Sequence, residues 1–183
     1  TPGQPTKKPL HIPLKLGLIG GNGQDIDLHL ADGVSIADGV VHIKKRKQTF
    51  RFTDVPSRPV PSLLRGFSAP VRLTVDLPDR DLEFLMASDS DLFNRWQAAN
   101  TYAMRTLVQL VRNGTTARRP AEAVAYAKAL GATIGDETLE PAYRAEVLRL
   151  PSEADIAREI AADVDPDAIH RARKQLLRLT GDT

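Results

Sequence analysis

Apolar side chains in this chain change their spacing once, and the change falls near Pro78. Before it they recur at every second residue. Leu10, Ile12, Leu14, Leu16 and Leu18 alternate with His11, Pro13, Lys15 and Gly17, and Ile26, Leu28 and Leu30 alternate with Asp25, Asp27 and His29. A period of two marks a strand with one buried face. Phe50 and Phe52 form another short alternation, Val71, Leu73, Val75 and Leu77 a last one, and a weaker apolar stretch lies at Val40, Val41 and Ile43. Gly20-Gly21-Asn22-Gly23 supplies a tight reversal, and Asp32-Gly33 and Asp38-Gly39 further turns. Pro13 cannot donate to a ladder, which predicts an edge or solvent-facing position there. The first 78 residues hold 9 of the 13 prolines and 8 of the 12 glycines. Strands at hairpin spacing with no helix between them predict an antiparallel sandwich and exclude a doubly wound sheet.

After Pro78 the spacing becomes three and four. Asp79 or Asp81 is placed to cap a short helix carrying Leu82, Leu85 and Met86. A longer helix is predicted after Ser90, with Phe93, Trp96, Asn100, Ala103, Leu107 and Leu110 as its stripe and Trp96 as its buried anchor. Asn113-Gly114 ends it. Further helices are predicted over residues 120–130, 137–150, 152–162 and 166–180. Ser152 with Asp155, and Asp165 ahead of Pro166, are their clearest start signals. Short helices with short connections point to stacked helical pairs. The expected class is α+β in two domains: residues 1–78 an antiparallel β-sandwich, residues 79–183 an α-helical, HEAT/ARM-like superhelical array.

Charge narrows the range of partners. The net formal charge of +2 gives no global case for nucleic acid. The first 78 residues carry 11 Lys/Arg against 6 Asp/Glu, and the remainder 14 against 17, so the helical half is mildly acidic. No apolar run approaches the roughly 18 to 20 residues that cross a bilayer, and no membrane partner is expected. With no cysteine, disulfides, thiolate metal sites and thiol nucleophiles are excluded. That composition is compatible with a reducing compartment, and the expected location is cytoplasmic.

Four segments, in order along the chain, carry a family likeness. They are KKPLHIPLKLGLI (Lys7 to Ile19), TFRFTDVPSRPVPSLLRGFSAPVRLTV (Thr49 to Val75, crossed by Pro56, Pro59 and Pro61), LEFLMASDSDLFNRWQAAN (Leu82 to Asn100) and LRLPSEADIAREIAADVDPDAI (Leu148 to Ile169). On these segments the chain resembles bacterial aminopeptidase N, a zinc-dependent gluzincin peptidase, where its immunoglobulin-like sandwich leads into the C-terminal helical domain. Ile26 to Lys47 and Arg118-Arg119 match that pattern more loosely.

The resemblance implies an Ig-like β-sandwich that is incomplete, its N-terminal strands missing, since about five strands are legible against about seven in such a sandwich. It implies only the first helices of the helical domain. The parent would release amino acids from peptide N-termini with one zinc ion. This piece would serve as brace and chamber wall. Expected partners are then the catalytic domain of the same parent chain and, in the parent, peptide substrates. The exposed edge of a cut sandwich is expected to self-associate. The alternative is a stand-alone protein-binding adaptor, whose acidic helical half would suit basic partners.

The family's chemistry needs H-E-x-x-H on a helix, two imidazoles on one face with a glutamate to activate water. His11, His29, His42 and His170 are none of them followed by Glu, and no two are four residues apart. The G-A-M-E-N motif that grips a substrate amine is also absent. Each histidine reads as a surface or structural residue, so no catalytic, cofactor-binding or metal residue is assigned; zinc belongs to the parent. Gly20-Gly21-Asn22-Gly23 lacks the following helix and the Gly-Lys-Ser/Thr ending of a phosphate loop, and reads as a hairpin turn. Lys44-Lys45-Arg46-Lys47 has no base-stacking aromatics beside it, because Phe50 and Phe52 point to a core, and reads as a solvated edge. Asp163, Asp165 and Asp167 alternate like calcium ligands but lack the central glycine and distal glutamate, and read as a helix start. Glu137, Glu140 and Glu146 read as partners of Arg144, Arg149 or solvent.

Overall fold

The computed structural model describes residues 3, 9–33, 36–114 and 120–181. Lys7 and Lys8 of the first family-like segment, Arg118-Arg119, and Asp182 and Thr183 lie outside the described residues. The chain divides into two compact units, Thr1–Asp76 with Ser88–Asn94, and Leu77–Ala87 with Arg95–Thr183.

The first unit is built on one strand, β1 (Ile12–Ile19), which divides its length between two neighbours. Its first half pairs antiparallel with β3 (Val40–Ile43), Ile12 opposite Ile43 and Lys15 opposite Val40. Its second half pairs with β5 (Val60–Leu63), Leu16 opposite Leu63 and Ile19 opposite Val60. A second ladder joins β2 (His29–Leu30) to β4 (Phe52–Thr53). The Lys15 N–H donates to Ser68 Oγ at 2.9 Å, away from β3. Pro13, two residues earlier, faces that same side, so its missing donor removes no bond from the β1–β3 ladder. The Gly20–Gly23 reversal is as the sequence predicts: Gly23 takes a φ of +78°, its N–H reaches the Gly20 carbonyl at 2.9 Å, and Ile19 bridges Asp25. Gly39 is also required, since with φ at +72° a Cβ there would lie 2.9 Å from the Leu16 carbonyl oxygen.

Leu16, Leu18 and Val41 form the core of this unit, with Leu14, Ile26, Leu28, Ile36, Phe50, Phe52, Val55 and Leu63 packed around them. The alternation of β1 therefore identified its buried face, except that Leu10 lies outside the strand and is exposed. One strand here is additional to those read from the sequence, and one expected strand is absent. The proline-crossed stretch contains a ladder strand, β5, with Pro61 opposite Leu18; β5 lies at the edge of the order β3-β1-β5, where a residue without an N–H is tolerated. Residues 71–77, expected to be a strand, form none. Val71, Leu73 and Val75 are exposed, and no ladder partner stands beside them among the described residues.

The second unit is helical: α1 (Asp79–Ser88), α2 (Leu92–Asn113), α3 (Ala121–Ile134), α4 (Pro141–Val147), α5 (Glu153–Ile160) and α6 (Pro166–Gly181), the ends of α1 and α2 around residues 88–94 grouping with the first unit. Start signals govern these ends. Ser152 Oγ accepts from the Asp155 N–H at 3.2 Å, and the Asp165 carboxylate accepts from the Ala168 N–H at 3.0 Å. Helix α4 is shorter than expected, because Pro141 fixes its first turn and residues 136–139 form a separate turn with the Thr138 N–H and hydroxyl bonded to Asp136. Helix α3 packs on α4 and α6, and α5 on α6. Leu82, Leu85, Met86, Leu107, Leu130, Ile156, Ile169 and Leu176 are buried.

The buried face of α2 is rotated from the expected stripe. It runs through Arg95, Ala98, Ala99, Tyr102, Ala103, Thr106, Leu107 and Leu110, while Trp96 is only partly covered. The aromatic anchor is Tyr126 of α3, 1% exposed, edge-on to Tyr102 with ring centroids 5.5 Å apart. Burial pushes the Tyr126 phenol far above its ordinary value.

Candidate functional site

Among the described residues of the first unit, a connected polar arrangement centres on Arg65, which the sequence did not single out. Its backbone setting is unusual. Leu64, Gly66 and Phe67 all take positive φ, at 62°, 60° and 53°, so the chain doubles back tightly around the arginine. The guanidinium lies over Gly17 in the middle of β1, where a Cβ would come within 2.2 Å of Arg65 Cζ. A glycine inside a strand often marks such a close approach.

Arg65 is held on three sides. Its Nε donates to Ser62 Oγ at 2.8 Å, and its Nη2 donates to Asp25 Oδ1 at 2.8 Å and to Asp89 Oδ1 at 3.1 Å. Ser90 Oγ donates to the other oxygen of Asp25 at 2.5 Å. Asp91 extends the arrangement, accepting from the Gly66 N–H at 3.1 Å and capping α2 through the Asn94 N–H at 2.9 Å. It thereby takes the capping position that the sequence placed at Ser90. Asn94 Nδ2 closes the circuit on Ser62 Oγ at 2.8 Å and the Leu63 carbonyl at 3.0 Å.

The electrostatics follow from burial and pairing. Burial pushes the Asp25 carboxyl up, but the hydrogen bonds from Arg65 and Ser90 outweigh it and hold the group below its ordinary value. At Asp89 burial wins and the carboxyl sits above its ordinary value, with Ser62, the Asp91 amide and Arg65 offsetting it only in part. The Asp89 side chain is 0% exposed, and its Oδ2 has no hydrogen-bond partner among the described residues. Burial works against the Arg65 charge, yet Asp25, Asp89 and Asp91 together keep the guanidinium protonated. Chemically this is a clamp: it fastens Ser88–Asn94 to the β strands by charge.

The second unit has a smaller counterpart. The Met86 carbonyl accepts from Arg95 Nε at 2.6 Å and from Thr133 Oγ1 at 3.2 Å, and Arg95 also reaches Asp136 Oδ2 at 3.0 Å. One carbonyl at the end of α1 thus gathers donors from α2 and α3.

The residues weighed from sequence fall as follows. His11 and His42, 31 residues apart, come together with Nε2 to Nδ1 at 2.9 Å, while His29 lies in β2. His170 meets Glu153 on the surface at 2.9 Å. No three His, Asp or Glu side chains come together as metal ligands among the described residues. Lys44–Lys47 are exposed, and Phe50 and Phe52 pack on the core. Glu146 pairs with Arg149 at 3.1 Å, and Arg144 instead donates to the Ile134 carbonyl. No helix is long and apolar enough to cross a membrane among the described residues. Two sequence signals pointed at the Arg65 clamp: Gly17 inside an otherwise regular strand, and the Asp89-Ser90-Asp91 run between two helices.

Comparison with known proteins agrees with this two-part layout. Residues 1–76 match a domain of unknown function with an Ig-like fold (DUF3458), and residues 79–183 a domain of unknown function described as ARM repeats (DUF3458_C). The chain is 43% identical over 152 residues to an aminopeptidase N of Caulobacter vibrioides, covering 82% of this chain and 17% of that protein. It is 36% identical over 178 residues to an aminopeptidase N of Escherichia coli, covering 97% of this chain and 20% of that protein. Among solved structures, Legionella pneumophila aminopeptidase A in complex with aspartic acid matches with a TM-score of 0.70 at 28% identity, over 94% of this chain and 19% of that one. The chain thus spans about a fifth of the length of the relatives it matches.

Proposed function

The chain belongs to the DUF3458_C ARM-repeat family, with an Ig-like DUF3458 domain ahead of it, and from that membership we propose that it is the non-catalytic, structural part of a zinc-dependent aminopeptidase N. In this reading the parent releases N-terminal amino acids from peptides, and these residues brace the catalytic domain and wall the chamber that peptides enter. The observation that carries it is colinear: 178 of the residues align with an aminopeptidase N while covering only 20% of it. We place the division between the two domains at residue 78. A cytoplasmic location belongs to the same proposal, supported by the absence of cysteine.

The family's zinc does not fit this chain. Its ligand set is two histidines and a glutamate. The one histidine pair here, His11 with His42, has no carboxylate joined to it as a third ligand among the described residues. No step of the parent's reaction runs through these residues, and the isolated chain is proposed to be inactive. The gene tests the reading. Codons upstream of Thr1 are expected to continue in frame through G-A-M-E-N and H-E-x-x-H; a start codon immediately before Thr1 would instead leave a free-standing adaptor.

Self-association is part of the proposal for the isolated chain. Val71, Leu73 and Val75 are exposed and without a ladder partner among the described residues, an apolar stretch open to pairing with another chain. Sedimentation velocity is expected to show a concentration-dependent dimer or larger species, weakened by Leu73→Lys. A monomer at every concentration would remove the idea.

A further inference from the structure

We propose that His11 and His42 form a two-imidazole chelate for a borderline transition-metal dication, copper(II) or nickel(II) in preference to zinc, unrelated to the family's catalytic metal. The two residues are far apart in sequence, and strand pairing brings them together: His42 lies in β3 opposite Pro13, and His11 immediately precedes β1. Their nitrogens are 2.9 Å apart, with ring centroids 4.9 Å apart and planes at 56°. Both rings are exposed, so neither is locked by packing.

The separation favours one coordination geometry. Two nitrogens each about 2.0 Å from one ion stand about 2.9 Å apart when the angle at the ion is a right angle, and about 3.3 Å apart when it is tetrahedral. From the hydrogen-bonded spacing of 2.9 Å, adjacent positions of a square-planar or tetragonal ion, the geometry of copper(II) and nickel(II) with nitrogen ligands, are reached with the smaller change of separation once the rings turn. Copper(II) also heads the general affinity order for divalent ions. An ion cannot sit midway between nitrogens this close. It occupies the apex of a triangle with them, reached by a turn of each ring that also breaks the imidazole–imidazole hydrogen bond.

The neighbourhood supports the strand that carries His42. Gln48 Nε2 donates to the His42 carbonyl at 3.0 Å and Gln48 Oε1 accepts from the Lys44 N–H at 2.9 Å, fixing the end of β3. The basic run Lys44–Lys47 begins two residues after His42. Its charge disfavours a bare dication, so water or a small anion would complete the coordination.

Copper(II) chloride titrated into the 183-residue chain, followed by calorimetry and by electron paramagnetic resonance, tests the proposal. One site with nitrogen ligation is expected. Its affinity should fall about tenfold or more in His11→Ala and in His42→Ala, because losing a ligand costs at least as much as losing a group that supports one. It should be unchanged in His29→Ala and His170→Ala. Binding by His11→Ala and His42→Ala equal to that of the unaltered chain overturns the site. A second measurement needs no variant. Substoichiometric copper should broaden the ring-proton resonances of His11 and His42 and spare those of His29 and His170; equal broadening of all four overturns it too.

Discussion

Replacing Arg65 with Met is expected to destabilise the β unit by about 3 to 5 kcal/mol, the range for removing one partner of a buried ion pair. The argument rests on what remains behind. Asp89 is 0% exposed and would keep only the Asp91 N–H and the Ser62 hydroxyl, while its Oδ2 has no partner among the described residues. Asp25 is half in solvent and rehydrates at little cost. The penalty therefore falls on Asp89, a carboxylate that burial already pushes toward its neutral form. Adding Asp89→Asn to Arg65→Met should recover part of the loss, because no charge is then stranded. Native-state hydrogen exchange reads the effect where it arises. The Leu16 and Leu18 amides should lose protection and the Leu107 amide in α2 should keep it. Unaltered protection in β1 would show that the clamp is ornamental.

Tyr126→Ala is expected to cost about 3 to 5 kcal/mol, and Trp96→Ala about 1 kcal/mol. The tyrosine ring is 1% exposed and packs edge-on against Tyr102, so truncation leaves a cavity and an unmatched aromatic face. The tryptophan is partly covered, and its removal leaves the Ala98, Ala99, Tyr102 and Leu107 face of α2 untouched. Urea melts of the two variants, compared at equal slope, decide between them. A larger loss for Trp96→Ala would restore the stripe read from sequence.

That reversal shows where the sequence was legible. Periods of two and of three to four located the β and α halves, and local signals placed helix ends well: Ser152 and Asp165 cap α5 and α6, and Pro166 opens the latter. The choice of face on α2 was harder. Phe93 and Trp96 pull a hydrophobic pattern toward themselves, yet the packed surface is made of alanines that let helices approach closely and of Arg95, whose charge is answered by the Met86 carbonyl and Asp136. A tryptophan is seldom fully buried, and a buried arginine looks like a surface residue until its partners are known. Strand β5 was hidden by Pro61, whose tolerance depends on being at a sheet edge. The Arg65 clamp was least visible, since Asp25 and Asp89 lie 40 and 24 residues from the arginine. The pairing of His11 with His42 depends on strand register in the same way.

Hydrolysis of an alanine anilide by the purified 183-residue chain, with zinc added, tests most directly whether these residues support chemistry performed elsewhere. The rate is expected to equal that of zinc alone at every protein concentration. Turnover that rises in proportion to the chain, follows it through size exclusion and disappears with a chelator would contradict the assignment.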